Sequence, residues 1–593
     1  MTQQMLQSKI GGNAAPSILV AAIDFGTTYS GWAFSFKHEF DSDPIKVSAK
    51  QWTGGQLVSS KGPTCVLIKP DGKTLHSFAF DAETKYAELA EEGEHKDWYF
   101  FKRFKMMLFG KIGIQRNIML EDATEKKLPA KTVFSLAIRF LKDDLLSMSK
   151  QRLNDGGLDV NDIHWVLTVP AIWNDAAKQF MREAAETAGI PGANLTIALE
   201  PEAASLYCRH LPVERHVGTD TKAKFSLAKF KAGTKYLVLD AGGGTVDITV
   251  HEVMEDAKLK ELHKASGGAW GGTKVDEAFR QFIIKLVGGP VVKKFQEKHM
   301  EDYLEIFRDF EIKKRDIGPS RSGKITIRMP ISLMELFEQY TDETLKEAIP
   351  QTIFANQISI TGDKMRVDVS VFKKFFQEPV DSVIEHVGNL LREPSVKGCV
   401  AIVMVGGFSE SPMLQETVKT QFPSVKVIVP DEAGLAVLKG AVIYGHCPQI
   451  IAERVSKFTY GVECTQSYVK DRHPEHRKIK NEDDEFEVEN VFNIYVKAGQ
   501  KIRIDEEFKD EYRVARADQD GMSVIFHYTV KPDPMFIDET GCNKLGTMQV
   551  DVPGYGKDRK AIVSLRFGKT EIEASTKVIH TDKVTTTKFD FLG

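Results

Sequence analysis

Two short stretches constrain this chain more than anything else in it. "AAIDFGTTYSGWAF" (Ala21–Phe34) and "LVLDAGGGTVDITVHE" (Leu237–Glu252) follow one plan, about two hundred residues apart. An apolar run ends in Asp, glycine and threonine follow, and a second strand-like run leads away. Each reads as a strand–turn–strand hairpin. Glycines let backbone approach phosphate oxygens closely and offer bare N–H donors. Threonine hydroxyls add donors. A carboxylate cannot bind phosphate directly, but it can hold Mg²⁺ through water, which suits an ion that dehydrates reluctantly. Two such tips facing each other would clamp a polyphosphate tail from both sides.

The surroundings fit that plan. From about Ser17 to His446, strands and helices alternate, which indicates α/β architecture. "SILVAAI", "HWVLTVPA", "KYLVLDA" and "CVAIVMVGGF" are short continuous apolar runs, the signature of strands covered on both faces. "NDAAKQFMREAAETAG" puts Ala177, Phe180, Met181, Ala184 and Ala188 on one helical stripe that stops at Gly189. Ser411 and Pro412 read as the N-cap and first residue of another helix. After about Ser456 the texture changes. "VFNIYVKAGQKIRI", "MSVIFHYTV", "GTMQVDV", "AIVSLRF" and "TEIEAST" alternate between Gly- and Asp-rich turns and read as an all-β sandwich. The acidic run "NEDDEFEVE" (Asn481–Glu489) reads as a solvated loop.

Composition excludes several classes. A net charge of −4 over 593 residues gives no global attraction to nucleic acid or anionic lipid. No apolar run approaches the ~20 residues of a membrane span, so no membrane is expected. The six cysteines include no CxxC pair, which argues against a zinc or redox site. They read as reduced thiols of a reducing compartment, cytoplasm or nucleus. Asp-Phe-Gly at 24–26 lacks a kinase catalytic loop and glycine-rich loop. Gly-Lys-Thr at 72–74 and 568–570 lacks the upstream glycine of a P-loop, since Leu67 and Val563 stand there.

Three more pieces accompany the hairpins: "VMVGGFSESP" (Val403–Pro412), "LTVPAIWND" with Pro170 at a strand end, and "EPEAASLY" with Glu200 beside a proline. In order and spacing the set resembles the actin-like ATPases and, within them, the 70-kDa heat-shock chaperone family. "IDFGTTYS" is similar to its first phosphate motif, "LDAGGGTVDITV" to its second and "VMVGGFSESP" to its adenosine motif. "VPDEAGLAVLKGAVIYG" resembles the segment closing the second lobe, and "FEIKKR" (Phe310–Arg315) the helix that touches adenosine. "HKASGGAWGG", "FMREAAETAGI" and "GGFSESP" resemble the divergent heat-shock 70 kDa protein 12-like branch.

The resemblance implies two lobes, each on a ribonuclease-H-like sheet, with ATP or ADP between them. It implies a tail over residues 1–15, a nucleotide-binding domain over 16–446 with its second lobe from about 235, a linker over 447–457 and a β-rich module over 458–593. Gly26, Thr27, Thr28 and Tyr29 would meet the phosphates from one side, and Gly242, Gly243, Gly244 and Thr245 from the other. Asp24 and Asp240 would hold hydrated Mg²⁺. Glu200 and Asp247 would orient the attacking water or its proton path. Glu311, Lys314 and Arg315 would hold ribose and adenine edges over Gly406, Gly407 and Asp431. Catalysis would be mostly positioning and charge neutralisation.

Three departures shape the expectations. The lysine the family sets near the γ-phosphate falls in "FFKRFKMML", as Lys102 or Lys105, with Lys102 preferred. Phe408 and Glu410 replace a small residue and an Arg that packs on adenine. The aliphatic acidic linker is replaced by "CPQIIAERVSKFTYG", with Pro448, Glu453, Arg454 and Lys457, and no helical lid follows the β-module. A charged linker is expected to gain little by docking as an edge strand. The sequence therefore supports an ATP-binding chaperone-like protein, a weak ATPase yielding ADP and phosphate, with a polypeptide client and co-chaperones. A nucleotide-gated scaffold with negligible turnover is the alternative, and a small-molecule kinase of the same superfamily a third.

Overall fold

The computed structural model describes residues 18–54, 57–111, 114–152, 158–213, 225–226, 230–481, 483–504, 506–567, 571–588 and 591–592. The expected disordered tail lies outside these residues, as does the second Gly-Lys-Thr. Two lobes share one plan. In lobe I, β1 (Leu19–Phe25) and β2 (Tyr29–Phe36) form the first hairpin, with Asp24 opposite Gly31. β3 (Ile163–Val169) runs parallel to β1, helix α1 (Asp175–Thr187) follows, and β4 (Leu195–Leu199) runs parallel to β3. Helix α2 (Glu200–His210) then leaves the sheet, with Pro201 in its first turn, where a missing N–H costs nothing.

Lobe II repeats this. β5 (Lys235–Ala241) and β6 (Val246–Val253) form the second hairpin, with Asp240 opposite Asp247. β7 (Leu259–Gly268) extends the sheet antiparallel to β6. Helix α3 (Met300–Lys314) belongs to an outer layer. β8 (Cys399–Val405) and β9 (Lys426–Ile428) add in parallel beside β5. The sheet orders β4-β3-β1-β2 and β9-β8-β5-β6 correspond strand for strand. This is the actin-like two-lobed ATPase fold, a duplicated α/β unit.

Each lobe has its own outer core, and a third core joins them. Val20, Ala22 and Val166 of one sheet, and Tyr236, Val238 and Val403 of the other, pack on α2 and on helix α4 (Ala436–His446). The two helices cross so closely that a Cβ on Gly440 would stand 1.8 Å from the Ala203 carbonyl oxygen, so glycine is required there. α1 shows why its sequence folds as it does. Asn174 caps it by accepting the Ala177 N–H, and Ala177, Phe180, Met181 and Ala184 are fully buried. The Ser411 hydroxyl, in contrast, makes no cap bond, although Pro412 does open its helix.

The β-module is a sandwich. Five strands, with Thr459–Ser467, Phe486–Val496, Gly521–Thr529 and Asn543–Asp551 among them, face four strands within Glu507–Arg513 and Lys560–Lys588. Phe526, Leu545 and Val550 of one sheet meet Val563, Leu565 and Ala574 of the other. No α-helix lies among its described residues. Part of the acidic run is not a loop: Phe486–Glu489 open a long strand that pairs with Ile479–Lys480, because Val488 has a buried site to fill.

The linker expectation fails more clearly. Ile451–Val455 is a strand, β10, parallel to β7 at the edge of the lobe II sheet. β11 (Lys501–Arg503), from the module, pairs with β10 in turn. Charge does not prevent docking because the edge supplies buried acids. Arg454 makes a two-point bond to Glu202 of α2 at 2.9 and 2.6 Å, and the Val455 N–H donates to Glu261 at 2.8 Å. No described helix is long and apolar enough to cross a membrane.

Candidate nucleotide site

The two hairpin tips meet at the mouth between the lobes. A Cβ on Gly243 would stand 2.1 Å from the Thr28 hydroxyl oxygen, and one on Gly244 would stand 2.4 Å from that of Thr27. Only glycine permits this approach. Gly406, at φ +85°, is held to glycine in the same way: a Cβ there would stand 2.4 Å from Asp240 Oδ1. The tips bound a cavity of about 760 Å³, within the ~300–1,000 Å³ of small-molecule sites. Asp24, Gly26, Thr27, Thr28 and Tyr29 line it from lobe I, with Glu200, and Asp240, Gly242, Gly243, Gly244 and Thr245 from lobe II. Glu311, Lys314, Arg315, Gly406, Gly407 and Asp431 line its far end, so the predicted adenosine elements converge on the same space.

Asp247 is not on the cavity wall. It lies behind Thr245, whose hydroxyl it binds, and accepts the backbone N–H groups of Ala171 and Ile172, the latter at 2.9 Å. It fastens the loop after Pro170 to the second hairpin and does not face the ligand space.

Both candidate lysines, Lys102 and Lys105, line the cavity, but they meet different acids. Lys102 ends a strand and binds the buried Glu83 at 2.8 Å. Arg103 then takes a left-handed conformation, φ +54°, and the short helical turn Phe104–Leu108 follows. That reversal sends Lys105 inward. It is 2% exposed, 2.7 Å from Glu200, and 5.1 Å from the Trp173 ring centre. Lys102 instead belongs to a cross-cleft clasp. Glu83 binds Lys102 and, at 3.1 Å, Arg308 of lobe II; Asp276 of lobe II binds Arg103 at 2.7 Å and Lys314. Met300 and Leu304 of α3 reinforce it by packing on Leu67, Tyr86 and Phe100 of lobe I.

A second lysine was not signalled by any motif. Lys61, in a Ser-Ser-Lys-Gly turn, stands 2.5 Å from Asp24 Oδ2, while Asp24 Oδ1 accepts the Thr168 hydroxyl at 2.8 Å. The electrostatics of the two predicted metal residues therefore differ. Burial alone would raise Asp24, but Lys61, Lys105 and the Thr168 hydroxyl hold its carboxyl below the ordinary value. Asp240 has no hydrogen-bond donor among the described residues. Burial, then repulsion from Glu200, Asp247 and Asp24, pushes it well above the ordinary value. Burial pushes Glu200 up to about 7, with Lys105 pulling against it.

Water-mediated Mg²⁺ binding requires carboxylate oxygens open to the ion's water shell. Asp240 meets that requirement. Asp24 does not, since both its oxygens are engaged and one carries an ammonium. At an effective dielectric of ~20, a dication about 4 Å from an ammonium is opposed by roughly 8 kcal/mol. The expected Asp24–Asp240 metal pair thus does not fit as a pair. No cluster of three or more His, Cys, Asp or Glu side chains suited to direct metal ligation occurs among the described residues.

Glu410 stays at the cavity rim, where its Oε1 accepts the Gly434 N–H at 3.0 Å. The guanidinium at this end comes from Arg315, tied to Glu311 at 2.9 Å and 6.0 Å from the Tyr29 ring centre.

Comparison with known proteins agrees with this geometry. The family model described as Hsp70 protein matches residues 114–504. Mouse heat shock 70 kDa protein 12A is 32% identical over 628 residues, covering 97% of this chain and 92% of that one. Human heat shock 70 kDa protein 12B is 33% identical over 634 residues, covering 97% and 91%. The chaperone protein DnaK of Thermoplasma volcanium is 27% identical over 303 residues, covering 50% and 43%. With hairpins, cavity and crossing helices all in their expected order, the chain belongs to the Hsp70 family, in its divergent heat shock 70 kDa protein 12-like branch.

Proposed function

We propose that the chain binds ATP and ADP between its lobes, hydrolyses ATP slowly to ADP and phosphate, and engages a polypeptide through its β-module. The observation that carries the reading is the meeting of Thr28 with Gly243 and of Thr27 with Gly244, which brings the glycine-rich backbone of both tips to the wall of a cavity of nucleotide size. Lys105 supplies positive charge where the terminal phosphate would lie. Glu200, pushed up to about 7, has the proton affinity of a base working near neutral pH and would accept a proton from the attacking water. Asp247 acts as a positioning residue, holding the Ala171–Ile172 loop to the hairpin. Arg315 and Glu311 offer a flat cation and a carboxylate for base and ribose.

The similarity to proteins named as chaperones supports a polypeptide partner for the β-sandwich. The clasp of Glu83 and Asp276 favours a second reading, a nucleotide-gated scaffold with little turnover, because a closed cleft slows nucleotide exchange. Two measurements on the full chain decide. ATP at a hundred times its Kd should stabilise the protein by about 2.7 kcal/mol; no stabilisation and no binding heat refutes both readings. Single-turnover hydrolysis at a measurable rate favours the first, and stable retention of intact ATP favours the second.

A further inference from the structure

We infer that Lys61 is a resident cation of the phosphate site, standing where a hydrated metal would otherwise be drawn to Asp24, and that it lets the chain bind a nucleoside triphosphate without Mg²⁺. The inference rests on the nucleotide reading above and specifies how that site meets the phosphate charge.

Lys61 lines the cavity and sits 2.5 Å from Asp24 Oδ2, its side chain only 16% exposed and that of Asp24 only 6%. The other Asp24 oxygen is taken by Thr168. Asp24 is therefore committed to a lysine from one side and to a hydroxyl from the other. Asp240 lines the same cavity and also feels the Lys61 charge. Asp24, one of the two carboxylates expected to hold a hydrated dication, here holds a monocation fixed to the chain.

A triphosphate tail needs positive charge close to its terminal groups. Lys105 provides one charge from the Glu200 side. Lys61 provides a second from the Asp24 side. An ammonium donates up to three hydrogen bonds, so Lys61 can keep Asp24 and still reach a phosphate oxygen. The backbone allows this because Lys61 precedes Gly62, which pairs with Ser30 of β2 and anchors the turn beside the first hairpin. The chemistry recognised is a polyphosphate chain with its own negative charge uncompensated.

Calorimetry of ATP binding to the full chain, in Mg²⁺ and in EDTA, tests this. For the native sequence the two dissociation constants should agree within about tenfold. Lys61→Met should weaken binding in EDTA at least thirtyfold and open a gap of more than a hundredfold between the two media, and Lys61→Arg should restore the native pattern. A native protein that loses more than a hundredfold in EDTA overturns the inference, whatever the variants do; so does Lys61→Met binding in EDTA as the native chain does. Absence of binding in both media overturns the nucleotide reading together with this one, whereas Mg²⁺-dependent binding indifferent to Lys61 removes this one alone.

Discussion

Asp24 and Asp240 hold the same place in two copies of one fold, each at the end of the first strand of its hairpin. Their surroundings are opposite. Asp24 has Lys61, Thr168 and the nearby charge of Lys105, and its carboxyl lies below its ordinary value. Asp240 has no donor among the described residues and three acidic neighbours, and lies well above it. Duplication supplied the backbone clamp, but the two lysines that meet the acids beside the hairpin tips, Lys61 with Asp24 and Lys105 with Glu200, come from the first lobe. Symmetry of the chain trace is thus no guide to symmetry of charge. The lobe that carries Lys61 and Lys105 is suited to hold the phosphates, and the lobe that carries the uncompensated acid is the one left able to attract a metal's water shell.

The largest expected effect breaks this contrast directly. Asp24→Asn strands a largely buried ammonium, and removing one partner of a buried pair costs about 3–5 kcal/mol. Asp240→Asn removes a charge that burial and like neighbours oppose. In nucleotide-free protein, thermal unfolding should fall by many degrees for Asp24→Asn and stay level or rise for Asp240→Asn. Equal losses would show that the two carboxylates are equivalent after all.

Next in size is the choice of lysine. Lys105→Met should slow single-turnover ATP hydrolysis about a hundredfold, equivalent to ~2.7 kcal/mol. Lys102→Met should change that rate less than fivefold and instead speed ADP release, because it loosens Glu83 in the clasp. The reverse ranking would return the role to Lys102.

The smallest effect uses a buried acid of lobe II away from the nucleotide. Burial pushes Glu261 up to about 8, the Val455 N–H pulling against it, Glu202 adding to it and Arg454 opposing; the Ala265 N–H also donates to it. Its folded value exceeds that of a free glutamate, about 4.3. Its contribution is therefore complete below about 4.5 and declines as pH rises through about 8. From pH 6 to pH 9 the native chain should lose stability relative to Glu261→Gln, read as a difference in unfolding midpoint. Parallel pH profiles would mean that Glu261 is ionised throughout.

Much of the fold was legible because it is written in local pattern. Apolar runs, glycine tips and the period of α1 announce two hairpins, a duplicated sheet and a separate β-sandwich. What escaped depends on contacts between distant segments. Lys61 carries no motif; only the pairing of Gly62 with β2 brings it to Asp24. Lys105 was weighed second because strand alternation says nothing about a left-handed residue at Arg103. The linker was misread because charge in sequence was counted without its partners: Glu202 and Glu261 lie roughly two hundred and fifty and two hundred residues before Arg454 and Val455. Asp247 was placed one layer too far forward, since sequence cannot show that Thr245 stands before it.

The β-module is moored at two points. Through β10 and β11 it lengthens the sheet of lobe II. On α1 of lobe I, spaced along one helical face, Asp175 accepts from Tyr460, Gln179 accepts the Phe591 N–H at 2.7 Å, and Arg182 grips Glu571, while Leu592 is buried in that lobe's core. Lys457 adds a bond to the Ile172 carbonyl at 3.0 Å, on the same peptide loop that Asp247 fastens. In mechanical terms the module is a tie-bar between the lobes, and the chain closes a ring through both of them. A rotation that parted the lobes would have to stretch the bar or slip one mooring.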